Sequence, residues 1–270
     1  MKRSSFWGWL WVIVGALYFL LPLYGTLDFS LRAKRGQLSL LAYERALTDP
    51  EFLRTFAFSF RMAVLTILVS ILLIVPTAYW VHLRMRHLRP LVEFITLLPF
   101  VVPAIVLVFG TIKLYSRPVT LLGIPILPPL TNSTASTDIL LIAGYTVLSL
   151  PYMYRAVDTG LRAIDVSTLT EAAQSLGANW VTILWRIILP NLRTALLSGA
   201  LITFATVIGE LTLATFLARP AFGPYLVLLG NHQAYEPSAL AIISFALTWA
   251  AMGVIQYVTH GNTGRIAGGR

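Results

Sequence analysis

The sequence predicts an all-α integral membrane protein with six transmembrane helices and a helical loop on the cytoplasmic side between helices four and five. Only 11% of the 270 residues are charged and 57% are hydrophobic, whereas a soluble domain has about 25% charged residues. The mean hydropathy is +0.77. This composition excludes a soluble enzyme and a disordered chain, and the lack of cysteine excludes a disulfide scaffold.

Charge-free segments mark the predicted spans, each close to the ~20 residues that cross a bilayer. They are residues 4–27, 62–83, 94–112, 139–154, 194–218 (interrupted by one carboxylate) and 237–259. Six spans and the Lys/Arg bias of the short loops predict that both termini are cytoplasmic. The net charge of +9 fits anionic lipid headgroups, so we expect membrane lipids and no nucleic acid as partners.

The domain organisation follows from these spans. Residues 1–57 are predicted to form an N-terminal transmembrane helix and an external segment, residues 58–260 the transmembrane core, and residues 261–270 a cytoplasmic tail.

Prolines inside the apolar segments remove backbone hydrogen bonds, so they are candidate helix breaks along a solvated pathway, with a simple packing kink as the alternative. They are Pro76, Pro99, Pro103 and Pro151.

The loop at residues 160–192, which we call the helix-turn-helix segment, carries strong local signals. Thr168 and Glu171 have the spacing of a capping box, which predicts a helix starting near residue 169. Gly177 can end this helix in the left-handed conformation. Asn179 can cap a second short helix that ends before Pro190. The sequence therefore predicts a short rigid elbow suited to insertion into a groove on another protein.

The same segment resembles the EAA loop of binding-protein-dependent ABC importer permeases, and the resemblance extends over roughly residues 55–260. An Ala pair follows the glutamate, a glycine comes after three more residues, and an Ile-x-Leu-Pro string follows after another nine. The resemblance implies that this loop is the coupling helix that docks on a cytosolic ATPase. The coupling residues it implies are Glu171, Ala172, Ala173, Gly177, Ile187, Leu189 and Pro190.

The partners follow from the resemblance and from one missing motif. The chain has no Gly-x-x-x-x-Gly-Lys-Ser/Thr loop, so it cannot hold ATP phosphates in this way. We therefore expect no cofactor on this chain, and ATP-Mg on a separate cytosolic ABC ATPase dimer. The resemblance also implies a second permease subunit (itself or a related chain), an external solute-binding protein, and the inner membrane of a bacterium. The histidines show no His-Glu-x-x-His pattern, so we expect no metal site, no catalytic residue and no enzymatic activity.

Glu210 is the one carboxylate well inside an apolar span. A charge there costs ~2.5–3.5 kcal/mol on insertion scales, so it is a candidate pathway residue. The alternative is a structural pair or a protonated acid.

The strings around Glu210 and Pro151 resemble permeases for polyamines, opines, thiamine, iron and aminoethylphosphonate. A polyamine such as spermidine or putrescine is the favoured substrate because its ammonium groups can use a counter-charge and ring faces. The candidate rings are Tyr79, Trp80, Phe100, Tyr145 and Trp249.

Two functional alternatives remain at this level. One is a permease of the same class for iron, thiamine, an opine or aminoethylphosphonate. The other is a proton-coupled secondary transporter that uses Glu210 as its proton site. Carriers of that second class often contain an internal repeat, which this sequence does not show.

Overall fold

The computed structural model describes residues 4–34, 36–121 and 124–260, and within these ranges the chain is helical except for one short hairpin. The predicted tail at residues 261–270 lies outside the described residues. The hairpin pairs β1 (Val119–Leu121) with β2 (Ile124–Leu127) in antiparallel fashion. The helices are α1 (Ser4–Ser30), α2 (Leu41–Thr48), α3 (Pro50–Leu83), α4 (Arg89–Val101), α5 (Ala104–Tyr115), α6 (Thr134–Arg162), α7 (Val166–Ser175), α8 (Trp180–Ile183), α9 (Leu189–Asn191), α10 (Arg193–Ile208), α11 (Thr212–Phe216), α12 (Phe222–Gly230) and α13 (Glu236–His260).

The chain divides into two compact units. The first contains residues 1–54 and 225–250, and the second contains residues 55–224 and 251–270. In the first unit, the Tyr225 hydroxyl donates to Asp49 Oδ2 at 2.7 Å, and Arg45 pairs with the buried Glu236 at 3.3 Å. The second unit has α6 at its centre, in contact with α4, α5, α10 and α11. The second unit also contains the helix-turn-helix segment and is the unit that concerns the site.

Three described helices are long and apolar enough to span a membrane by themselves: Trp7–Ser30, Pro50–Leu83 and Thr134–Arg162. Two bent pairs raise the number to five if each pair is one span. The first pair joins α4 to α5 at 100° and the second joins residues 180–191 to α10 at 77°. The segment Glu236–Ala250 is a shorter apolar helix. The all-α membrane fold is confirmed, whereas the six-helix count stays a prediction.

The prolines behave differently from the sequence prediction. Only Pro103 lies at a break, where it is the N-cap of α5. Pro76, Pro99 and Pro151 lie inside continuous helices, so the prediction that they break helices is wrong. One lost hydrogen bond does not end a long helix when neighbouring helices and side chains compensate.

Candidate functional site: the helix-turn-helix segment and the buried carboxylates

The first helix of the helix-turn-helix segment, α7, begins three residues earlier than the capping-box pattern predicts. Its N-cap is Asp165, whose Oδ1 accepts from the Thr168 backbone N–H at 3.1 Å and whose Oδ2 accepts from the Thr168 hydroxyl at 2.7 Å. The Thr168 hydroxyl and then the backbone N–H groups lower the pKa of Asp165. This stabilisation is therefore present above the ordinary aspartate pKa of about 3.9 and is lost as the pH falls through the lowered value.

The turn between α7 and α8 has the geometry that the sequence predicts. Gly177 has φ +81°, and its N–H donates to the Gln174 carbonyl at 2.9 Å. The next N–H, from Ala178, donates to the Ala173 carbonyl at 3.0 Å, which completes a Schellman motif. Asn179 Oδ1 then accepts from the Thr182 N–H at 2.8 Å and caps α8. Both ends of the turn are fixed by hydrogen bonds, so the elbow is rigid.

The elbow presents a mixed surface to its surroundings. Glu171 and Ala172 are exposed, whereas Ala173 is buried against the core. Leu176, at the turn, is 88% exposed, and Trp180 and Trp185 in the second half of the segment are each 50% exposed. Large apolar side chains at this level of exposure indicate a surface that is covered by something other than this chain.

The Ile-x-Leu-Pro string anchors the second half of the segment to the protein. Residues Leu184–Ile188 form a π-helical turn that continues into α9. Ile187 and Leu189 pack against the core cluster. Pro190 provides no N–H at the start of α9, and the Asn191 side chain donates to the Ile187 carbonyl at 2.7 Å. These residues hold the elbow in place and leave its tip available.

Tyr79 and Trp80 belong to this segment and not to a pathway around Glu210. The buried Tyr79 hydroxyl lies 3.1 Å from the Thr170 hydroxyl of α7. The Trp80 ring packs against the Trp180 ring at 6.2 Å between centroids. The prediction that these two rings line the substrate pathway is replaced by a structural role, because both attach the end of α3 to the helix-turn-helix segment.

Glu210 lies at a break in the fifth predicted span. Helix α10 ends at Ile208 and α11 begins at Thr212, which leaves the first N–H groups of α11 without helical acceptors. The Glu210 carboxylate, which is 9% exposed, is the acceptor for these N–H groups. It accepts from the Leu213 N–H at 2.9 and 3.1 Å and from the Ala214 N–H at 3.3 Å. Both oxygens are therefore used inside the chain as a cap for α11, a structural role that differs from the ion pair or protonated acid expected as the alternative.

Among the candidate pathway rings of the second unit, Tyr145 interacts with Glu210. The Tyr145 hydroxyl is buried without a well-formed hydrogen bond and interacts electrostatically with the Glu210 carboxylate. Phe100 packs on Tyr152 at 5.5 Å between ring centroids and remains largely exposed. Trp249 lies in the first unit, where it is exposed and packs on Phe245.

A polar cluster around Asp158 was not predicted from the sequence. Asp158 accepts from Arg89 Nη2 at 3.1 Å and from Arg162 Nε at 2.9 Å, and its Oδ1 lies 2.7 Å from His82 Nε2. The Arg89 guanidinium also donates from Nε to Glu93 Oε1 at 2.9 Å. The only sequence signals are the i,i+4 spacings of Asp158 and Arg162 and of Arg89 and Glu93, each on one helix face. No group of three or more metal-ligating side chains occurs in the part of the chain that the structure describes.

Comparisons with known proteins identify the family to which this chain belongs. Residues 71–260 match the family described as "Binding-protein-dependent transport system inner membrane component". The molybdenum transport system permease protein of Mycobacterium tuberculosis is 30% identical over 193 residues, which is 69% of this chain and 66% of that protein. The match therefore spans just under two thirds of that relative's length.

A spermidine/putrescine transport system permease protein of Haemophilus influenzae is 31% identical over 126 residues, which is 45% of this chain and 49% of that protein. The fold matches a chain in the crystal structure of a bacterial ABC transporter involved in the import of the acidic polysaccharide alginate. That match has a TM-score of 0.71 and 16% identity, and it covers 97% of both chains. The chain is therefore a multi-pass inner-membrane component of the binding-protein-dependent ABC transport family.

Proposed function

We propose that this chain is the transmembrane permease subunit of an ATP-driven ABC importer and that its helix-turn-helix segment docks on a separate ATPase. One observation carries the proposal: a rigid, doubly capped elbow holds the 88% exposed Leu176 side chain away from the protein. The family match over residues 71–260 supports the same function.

In this proposal the chain moves solute and does no chemistry. ATP and Mg²⁺ bind the partner ATPase dimer, a second permease subunit completes the pathway, and an external binding protein delivers the solute. A chain in the crystal structure of a bacterial alginate ABC transporter in complex with an alginate pentasaccharide-bound periplasmic protein, which this chain matches at a TM-score of 0.68, supports such an assembly. With the elbow on the cytoplasmic side, six spans would place both termini in the cytoplasm.

A charge reversal at the elbow tests the docking. Glu171 is exposed on α7, so Glu171→Lys should leave membrane insertion intact and abolish solute uptake by vesicles that contain the co-expressed ATPase. The matched control is Glu44→Lys, which makes the same change on the exposed face of α2. Normal uptake by the Glu171→Lys vesicles would contradict the proposal.

For the substrate, the sequence favours a polyamine, and the spermidine/putrescine relatives support it. The Tyr145 ring beside Glu210 supplies the aromatic part of such a site. The carboxylate part has less support, because both Glu210 oxygens already accept backbone N–H groups. If Glu210 binds an ammonium group, Glu210→Gln should raise the half-saturating spermidine concentration while the protein stays folded.

A small oxyanion is the second candidate, and the charges at the end of the second unit opposite the elbow favour it. Arg61 and Arg219 share the single carboxylate of Asp138, and Lys113 and Arg117 are exposed at the end of α5. A net positive entrance attracts anions, and the molybdenum relatives agree. Competition of uptake by molybdate or by spermidine distinguishes the two classes.

A further inference from the structure

The Asp158 carboxylate is buried at the end of α6 that leads into the helix-turn-helix segment. Asp158 is only 6% exposed, yet it joins three helices. Arg89 Nη2 of α4 lies 3.1 Å from both of its oxygens, His82 of α3 lies 2.7 Å away, and Arg162 of α6 donates from Nε at 2.9 Å. The cluster therefore connects the ends of α3, α4 and α6.

Buried ion clusters of this kind contribute little to stability compared with apolar packing of similar volume. Removal of one partner, however, leaves an uncompensated buried charge. What such a cluster provides is one defined arrangement of the groups it connects, because its hydrogen bonds are directional. At Asp158, the defined arrangement is the position of α3 and α4 relative to α6.

The cluster lies next to the elbow by two independent routes. Along the chain, α6 ends at Arg162 and the N-cap of α7 is Asp165. In space, α3 contacts α7 through the hydroxyl groups of Tyr79 and Thr170. Tyr79 lies three residues before His82 on α3. A cavity of about 420 Å³ lies between these elements, and its lining includes His82, Arg89, Arg162 and Asp165. The contact between α7 and the bundle is therefore made by the buried side chains of Val166 and Ala173 and by the Tyr79–Thr170 hydroxyl pair, beside an open space.

The first unit contains a second buried carboxylate, which serves as a control. Glu236 is 6% exposed, and it accepts from Arg45 Nη1 at 3.3 Å. The two carboxylates share burial and an arginine partner, but the helix-turn-helix segment belongs to the second unit.

We propose that Asp158 is a positioning residue for transport: it ties α3 and α4 to α6 so that displacement of the helix-turn-helix segment by the ATPase moves these helices together. The proposal rests on the proposed function, because it requires an ATPase that moves the elbow. Without the Asp158 cluster, the ATPase still docks and hydrolyses ATP, and α3 stays joined to α7 through Tyr79 and Thr170, but the movement no longer carries α4 with it.

The test uses the full transporter, reconstituted in vesicles with its ATPase and binding protein, and measures ATP hydrolysed per solute imported. Asp158→Asn should raise this ratio about tenfold, within the usual range of coupling effects, while the ATPase remains bound. Asp158→Glu, which keeps the carboxylate, should restore a ratio near the wild-type value. Glu236→Gln, which removes a buried carboxylate with an arginine partner in the first unit, should leave the ratio within about twofold.

If Asp158→Asn does not assemble, Arg89→Gln replaces it, because Asp158 then keeps Arg162 and His82 as partners. An unchanged ratio in the assembled variant overturns the proposal, and so does an equal loss of hydrolysis and uptake. Failure of the wild-type chain to bind an ATPase would instead overturn the proposed function. The two failures are therefore distinguishable.

Discussion

The turn at Gly177 offers a quantitative test of whether the elbow geometry matters for docking. Gly177 has φ +81°, and an added Cβ would meet no atom within 4 Å. The cost of Gly177→Ala is therefore purely conformational, about 1–2 kcal/mol for an L-residue in the left-handed region. Gly36 provides a matched control, since it has φ +78° and equally open space but lies far from the elbow in the sequence.

Only Gly177→Ala should weaken ATPase binding. If docking requires the observed turn, the free Gly177→Ala protein can relieve the strain by leaving that turn and the docked protein cannot, so the affinity should fall by up to about 5–30-fold, the factor that corresponds to 1–2 kcal/mol. The affinity is measured by titrating the purified permease in nanodiscs with the ATPase. Equal affinities of the Gly177→Ala and Gly36→Ala proteins would refute the reasoning.

Three further predictions concern stability, each measured by unfolding in detergent. Ala218 has φ +53° at the end of α11, so Ala218→Gly should stabilise the chain by about 1 kcal/mol; a lower midpoint would contradict this. Gly223→Ala should destabilise by about 1–3 kcal/mol, because its Cβ would clash with the Glu210 carbonyl oxygen; an unchanged midpoint would refute that contact. Tyr79→Phe and Thr170→Val should each cost about 1–3 kcal/mol, with the double variant costing less than their sum; strict additivity would argue against the hydrogen bond.

The parts of the site that the sequence predicts correctly are those fixed by neighbouring residues. The left-handed Gly177 and the Asn179 cap depend on hydrogen bonds within a few positions. The start of α7 was missed for a related reason: Thr168 has capping-box spacing, but Asp165 upstream offers a stronger acceptor and takes the Thr168 N–H and hydroxyl. Local patterns therefore predicted that a helix starts here but not which residue caps it.

The parts that were missed depend on contacts between distant segments. Tyr79 and Thr170 are 91 positions apart, and His82 and Asp158 are 76 apart, so neither contact leaves a periodic signal. Glu210 shows the same limit. Its burial in an apolar span was evident, but its role depends on the helix break that follows it, where the Leu213 and Ala214 N–H groups need an acceptor.

The most direct test of the central claim is a cross-link between the elbow tip and the ATPase. Since the chain contains no cysteine, Leu176→Cys introduces a single reactive thiol, and Ser116→Cys does the same at the exposed end of α5. With the co-expressed ATPase present and a short bis-maleimide added, Leu176→Cys should cross-link to a cysteine of that subunit next to its docking cleft, and Ser116→Cys should not. If Leu176→Cys stays open to a water-soluble maleimide whether or not the ATPase is bound, the helix-turn-helix segment does not dock on the ATPase.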